Sequence, residues 1–130
     1  MEISFYRIIL YGLQIDKLKN FYIDHFNLEL VEEIKDEWVV LKSGQVEIAF
    51  HKIGRSYIPH NEEGFRVNSN TKIVFRIDQD LATFKQELLD KGVALKNTKS
   101  FKGINSLFCD GQDPEGNVFQ LEQRLDADGK

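Results

Sequence analysis

The sequence predicts an α+β fold built from two βαβββ modules in tandem, and three observations lead to this prediction. Strand-like and helix-like patterns follow one another in this order twice. A superposition that places Arg7 on Lys72 also places Leu18 on Phe84, with an adjustment of one residue, and it brings Glu47 onto Gln120. The chain has 130 residues, 42% of them hydrophobic, which suits one domain that buries about two thirds of its unfolded surface. Such a repeat predicts two similar modules whose sheets share a central space.

Module one is predicted over about residues 1–52. A run of aromatic and branched residues predicts a first strand over Ser4–Tyr11, and an amphipathic helix follows over Ile15–Phe26 and ends at Asn27. Three short strands come next, with a hairpin turn at Ser43–Gly44 between the last two. Their predicted ranges are Leu28–Ile34, Trp38–Lys42 and Val46–Lys52.

Residues 53–70 are predicted to form a connector, because Gly, Ser, Pro, Asn and charged residues replace the periodic pattern. A connection of this length is often a lid or a binding loop. Tyr57, His60, Phe65 and Arg66 either close over a ligand or belong to an ordinary surface loop, and the sequence favours the surface loop.

Module two is predicted over about residues 71–123, before a polar tail at 124–130. A strand over Thr71–Ile77 leads to a helix over Leu81–Lys91, which Asp78 or Asp80 caps and Gly92 ends. Further strands are predicted around Val93–Lys96 and Asn105–Asp110. The single cysteine, Cys109, is interpreted as an ordinary strand residue, since no activating base lies beside it in the sequence.

The stretch Asp113–Gln123 combines a turn with the eighth predicted strand. Asp113-Pro114-Glu115-Gly116 suits a type I turn, because the aspartate side chain can accept from its own backbone two residues on and proline presets φ. In the strand that follows, alternation places Phe119 and Leu121 on a buried face. The opposite, mixed polar face consists of Val118, Gln120 and Glu122.

These features together resemble the vicinal oxygen chelate superfamily, which includes glyoxalase I, bleomycin-resistance proteins and extradiol dioxygenases. The resemblance rests on the doubled βαβββ order, the Phe21–Tyr22 pair in the first helix, and Asp-Pro-Glu-Gly-Asn before an aliphatic strand. It covers nearly the whole chain. It implies a curved, cup-shaped mixed sheet with the helices on its outer face and a site on the concave side.

Metal-dependent members of this superfamily draw four ligands from equivalent strands. Carried across by motif, those positions are Arg7, Glu47, Lys72 and Gln120. Glu47 is a good ligand and Gln120 a tolerable one, but two cationic side chains repel a divalent ion. The conclusion is the same if the first strand is shifted by one and Ile8 takes the first position. The sequence therefore predicts no metal and no cofactor.

Two interpretations of these positions stay open. Arg7 and Lys72 either flank Glu47 in an internal ion pair that fills the cup, or they join Arg76 in receiving an anionic or polar small molecule. A Schiff base at Lys72 is a minor alternative. His51 shares a strand face with Glu47 and is either a general base or a surface histidine. Three further residues either line the cup or pack in the sheet: Tyr11, Trp38 and Glu122.

The function predicted from these residues is that of a metal-free small-molecule-binding protein with its ligand in the cup. One alternative is a lyase, isomerase or dioxygenase-like enzyme that uses Glu47 as base or ligand, any metal being shared with Gln120, His51 and water. The other is a dimerising structural module with a filled cup. Seventeen basic against 21 acidic residues give a net charge of −4, which argues against nucleic-acid and membrane partners. We expect a cytoplasmic homodimer.

Overall fold

A computed structural model describes residues 1–57 and 64–125. The chain divides into two compact units, Met1–Phe65 and Arg66–Lys130. Module one lies in the first unit and module two in the second, and each contains one helix and one open sheet. The predicted α+β fold with two tandem modules is confirmed. Within the described residues no helix is long and apolar enough to cross a membrane.

The elements follow the predicted order, with a short 3-10 turn and one further strand added. Module one contains β1 (Arg7–Gly12), α1 (Ile15–Phe26), β2 (Glu29–Ile34), β3 (Trp38–Ser43) and β4 (Val46–Lys52), followed by a single 3-10 turn at Arg55–Tyr57. Module two contains β5 (Lys72–Ile77), α2 (Leu81–Asp90), β6 (Ala94–Leu95), β7 (Lys99–Phe101), β8 (Ile104–Gln112) and β9 (Val118–Arg124). The sequence did not predict β7, because three exposed residues are too few to show an alternating pattern.

The helix of module one covers one face of its sheet. The strand order is β1-β4-β3-β2, and β1 runs parallel to β4. Leu18 and Tyr22 of α1 are fully buried, and the Tyr22 ring stacks on Phe50 with 5.3 Å between centroids. Asn27 ends the helix as predicted, in the left-handed conformation at φ 55°. The side of the sheet that points away from α1 is called the open face of module one.

Module two repeats this arrangement with the order β5-β9-β8-β6, and β7 pairs with β8. Asp80 caps α2 by accepting a hydrogen bond from the Thr83 backbone at 3.0 Å, one of the two predicted caps. The first turn of the helix is tied to the sheet because the Leu81 backbone donates to Gln123 at 2.8 Å. Gln123 shares its side of β9 with buried Phe119 and Leu121, so the opposite side is the open face of module two.

The predicted turn before β9 is confirmed in detail. The Gly116 backbone donates to the Asp113 carbonyl at 3.0 Å, which closes the turn, and φ of Gly116 is +89°. Asp113 Oδ1 accepts the backbone N–H groups of Glu115 at 2.9 Å and Asn117 at 3.0 Å, and its Oδ2 accepts the Asn117 amide at 2.8 Å. One buried carboxylate therefore organises the turn and fixes where β9 begins.

Candidate functional site

The open face of module one brings together four of the predicted site residues. In the parallel ladder of β1 and β4, Arg7 lies opposite Glu47 and Tyr11 opposite His51. On the other side of β4, Trp38 of β3 lies opposite His51. Because side chains alternate along a strand, these residues all point to the side away from α1. The period-2 pattern of the sequence is sufficient to place them on one face.

Arg7 and Glu47 form an ion pair on this face. Glu47 Oε1 accepts hydrogen bonds from Arg7 Nε at 2.9 Å and Nη2 at 2.8 Å. The guanidinium also lies 5.3 Å from the ring centroid of Tyr6 and 5.6 Å from that of Trp38, within the range of cation–π attraction. The hydrogen bond to Glu47 raises the pKa of Arg7 above its ordinary value. The Glu47 carboxylate is therefore paired with a side chain that stays positively charged.

A groove of about 780 Å³ lies at the Tyr11 and His51 end of these strands, and module one and the start of the connector form it. Its walls carry two exposed tyrosines, Tyr11 at 60% and Tyr57 at 81%, together with His51. The His51 ring lies 5.6 Å from Tyr11 and 5.6 Å from Trp38. Glu37 and Lys52 supply one negative and one positive charge, and Ile53 and Gly54 complete the lining. Exposed rings around a concave space are typical of a small-molecule site.

The connector contributes differently at its two ends. Tyr57 lines the groove, whereas Arg66 donates to the Pro114 carbonyl at 3.1 Å and Val67 to the Glu115 carbonyl at 2.7 Å. The second half of the connector is thus attached to the turn before β9. His60, also named as a possible lid residue, lies outside the described residues.

The open face of module two is centred on Asp110, which the sequence analysis did not select. Asp110 is 7% exposed and lies opposite Gln120 in the ladder of β8 and β9. Its Oδ2 accepts from Lys72 at 2.8 Å and from Lys99 at 3.3 Å, and its Oδ1 accepts from Gln120 at 3.0 Å. Lys72 and Gln120, both predicted site residues, are therefore joined through a third residue.

The charge state of Asp110 follows from these contacts. Burial, the largest single influence, opposes ionisation of the carboxyl group. The hydrogen bonds from Lys72, Gln120 and Lys99 and the charge of Lys72 outweigh it, so the pKa of Asp110 lies below its ordinary value. Asp110 is a carboxylate at neutral pH.

The third predicted cation, Arg76, belongs to a separate pair on the same face. Its Nη2 lies 3.7 Å from Glu122 Oε2, and the Arg76 side chain is 63% exposed. Glu122 also accepts a hydrogen bond from Ser106 Oγ at 2.6 Å. Arg76 is matched to its own carboxylate and makes a weak, solvent-exposed contact.

The two ladders have different registers, which corrects one detail of the predicted superposition. Arg7 lies opposite Glu47, but Lys72 lies opposite Val118, and Gln120 lies opposite Val74. A superposition of Arg7 on Lys72 therefore places Glu47 on Val118 rather than on Gln120. The offset is two residues, so Gln120 keeps its predicted face while its neighbour on β5 changes.

The residues at the four predicted ligand positions do not fit a divalent cation. Arg7 is an obligate cation, Glu47 is bonded to it, and Lys72 is bonded to Asp110. Across residues 1–57 and 64–125, no group of three or more His, Cys, Asp or Glu side chains is placed to hold a metal ion. Glu47 and His51, the candidate catalytic pair, lie four residues apart on β4, about 13 Å along the strand.

Cys109 is a buried strand residue, as interpreted from the sequence. Its Sγ lies 3.2 Å from the Lys96 carbonyl, to which the thiol donates, and the residue is 0% exposed. Burial, the largest influence, raises the pKa of the thiol above its ordinary value. A protonated, inaccessible thiol is a poor nucleophile.

Comparison with known proteins shows the fold. No protein-family profile matches the chain, and no curated protein matches it. Lactoylglutathione lyase from Agrobacterium tumefaciens is 18% identical, with a TM-score of 0.71 over 92% of each chain. The fosfomycin resistance protein FosX from Listeria monocytogenes is 15% identical, with a TM-score of 0.72 over 95% of this chain and 94% of its own.

A third solved structure, the virulence protein STM3117 from Salmonella typhimurium, is 16% identical with a TM-score of 0.71, over 96% of this chain and 99% of its own. Identities this low carry the fold and not the activity. The chain shares the fold of these proteins, as its resemblance to the vicinal oxygen chelate superfamily implied.

Proposed function

We propose that this protein binds a small molecule without a metal ion, on the open faces of its two modules. The observation that carries the proposal is the pairing of Arg7 with Glu47 on the open face of module one. At the positions that the resemblance assigns to metal ligands, the one strong ligand is occupied by a permanent cation. The face is therefore electrostatically complete without a metal.

The groove at the Tyr11 and His51 end of the same strands supplies the binding surface. Tyr11 and Tyr57 have large, mostly exposed rings, and a ligand that covers them removes apolar surface from water, which favours binding. A groove of about 780 Å³ lies within the usual size range of ligand pockets. Glu37 and Lys52 place both charges at its wall, which suits a ligand with an aromatic or apolar body and polar ends.

A ligand screen followed by Trp38 fluorescence tests the proposal. Trp38 is the single tryptophan and contacts His51 of the groove wall, so a bound molecule changes its emission. We expect hits that raise the melting temperature and keep their affinity in a strong chelator. A free ligand at 100 times its Kd stabilises the fold by about 2.7 kcal/mol.

Matched variants locate the ligand. Tyr11→Ala removes an exposed ring from the groove and should weaken binding about tenfold, since an aromatic pair contributes about 0.5–1.5 kcal/mol in addition to the area that it buries. Leu89→Ala removes a side chain of comparable exposure from α2, remote in sequence from the groove, and should bind as the parent does. Equal affinities of the two variants, or hits that all require a metal, would contradict the proposal.

We also propose that the protein forms a homodimer. β2 is the last strand of its sheet, and all six of its residues are exposed. Such an edge can be covered by a second copy of the chain. Sedimentation of a strict monomer at micromolar concentration would rule the dimer out.

A further inference from the structure

We propose that the open face of module two binds the carboxylate group of a small organic acid between Lys72 and Lys99. This inference rests on the proposed function and names a ligand class for one part of it. Three observations support it: the charge balance around Asp110, the exposure of the two lysines, and a cavity that adjoins Lys72.

The charge balance separates this cluster from the other ion pairs of the two faces. Arg7 forms an ion pair with Glu47, and Arg76 forms one with Glu122, so each of these cations has its own carboxylate. Lys72 and Lys99, in contrast, both approach the same oxygen, Oδ2 of Asp110, at 2.8 and 3.3 Å. One carboxylate neutralises one ammonium group, so the cluster carries an excess of one positive charge. A monoanion completes it.

Both ammonium groups are available to a ligand. The side chains of Lys72 and Lys99 are 44% and 42% exposed, whereas Asp110 is 10% exposed by the same measure. The carboxylate therefore lies beneath the two cations, which retain donors that Asp110 does not use. Charge-assisted hydrogen bonds to a second carboxylate would satisfy those donors.

A cavity of about 410 Å³ adjoins Lys72 and fixes the size and polarity of the ligand. Lys72, Lys96 and Asp110 form its polar wall. Ala94, Leu95 and Val118 form the apolar wall, beside Gly111 and Gln112. A molecule with one carboxylate and a compact apolar body matches both walls.

Amide NMR with benzoate as the probe tests the inference, and benzamide is its neutral counterpart of the same shape. We expect benzoate to shift the amide signals of β5, β6 and β8, and benzamide to leave them in place. Lys72→Met and Lys99→Met should each weaken benzoate binding about tenfold, through loss of a charge-assisted hydrogen bond. Lys91→Met removes the same charge at the end of α2 and should leave binding unchanged.

Asp110→Asn separates binding from a purely structural ion pair. It frees both lysines, so benzoate should bind as tightly as before or more tightly. If the cluster serves only the fold, Asp110→Asn and the two lysine variants lose stability and none changes benzoate affinity relative to benzamide, which overturns the inference. Should Asp110→Asn fail to fold, the two surface lysine variants still decide it. Benzoate shifts confined to the groove of module one would also overturn it, while leaving the proposed function intact.

Discussion

Replacing Asp113 by alanine removes the acceptor that organises the turn before β9. The backbone donors of Glu115 and Asn117 belong to residues that are 5% and 6% exposed, so water cannot readily replace the carboxylate. A buried donor left without a partner costs about 1–3 kcal/mol. Two such donors, at about 1–3 kcal/mol each, and the lost bond from the Asn117 amide, at about 1 kcal/mol, give an expected loss of about 3–7 kcal/mol in the free energy of unfolding.

Asp113→Asn is the matched control. An asparagine keeps one carbonyl oxygen for the two backbone donors and loses only the bond to the Asn117 amide, so we expect a loss of about 1 kcal/mol. Urea unfolding followed by circular dichroism measures both variants, and Trp38 fluorescence reports module one in the same samples. Equal losses for the two variants, or a loss below about 1 kcal/mol for alanine, would refute the role assigned to the carboxylate.

Three further predictions concern module two. The pKa of Asp110 is lowered in the folded state, so its contribution to stability is present above the ordinary pKa and is lost as the pH falls through the lowered value. The midpoint of urea unfolding should therefore fall less steeply between about pH 6 and pH 2 for Asp110→Asn than for the parent protein. Gly111→Ala should cost about 1–3 kcal/mol or more in urea unfolding, because the added Cβ would overlap the Phe119 ring and lie 2.6 Å from Leu95 Cδ2; a loss within 0.5 kcal/mol would show that the site relaxes. Cys109 should react with an aromatic disulfide reagent about 100-fold more slowly in the native protein than in urea, and similar rates would contradict its burial.

Local chemistry made most of the fold predictable from the sequence. Asn27, Asp80 and the turn at Asp113 act within a few residues of themselves. Residue type and spacing gave Asn27 and the turn their observed roles and left Asp80 as one of two candidate caps. Alternation along β9 likewise gave the buried face of Phe119 and Leu121. The strand β7 was not predicted, because its three residues are all exposed and adopt the strand conformation through pairing with β8.

The sequence predicted the sheet face on which each site residue lies, but it did not predict which residue each one contacts. A shift of two residues between paired strands leaves every side chain on its own face, so alternation could not reveal that Lys72 lies opposite Val118. Arg7 pairs with Glu47, as one of the two open interpretations expected. Lys72, which the same interpretation placed beside Glu47, bonds to Asp110 instead.

Asp110 was missed as the partner of Lys72 and Gln120. A signal for it exists in the sequence, since a charged residue follows the apolar run Leu107-Phe108-Cys109 within a strand. A carboxylate in such a position requires a partner when it is buried. Which cations supply that partner depends on strand pairing across 38 residues of sequence for Lys72, which no local pattern encodes.

The most direct test of the central claim is elemental analysis of the purified protein after incubation with zinc, nickel and iron salts and removal of the excess. The pairing of Arg7 with Glu47 and of Lys72 with Asp110 predicts far less than one metal ion per chain, and the same ligand affinities with and without a chelator. About one ion per chain that survives dialysis, and whose removal abolishes ligand binding, would contradict the account.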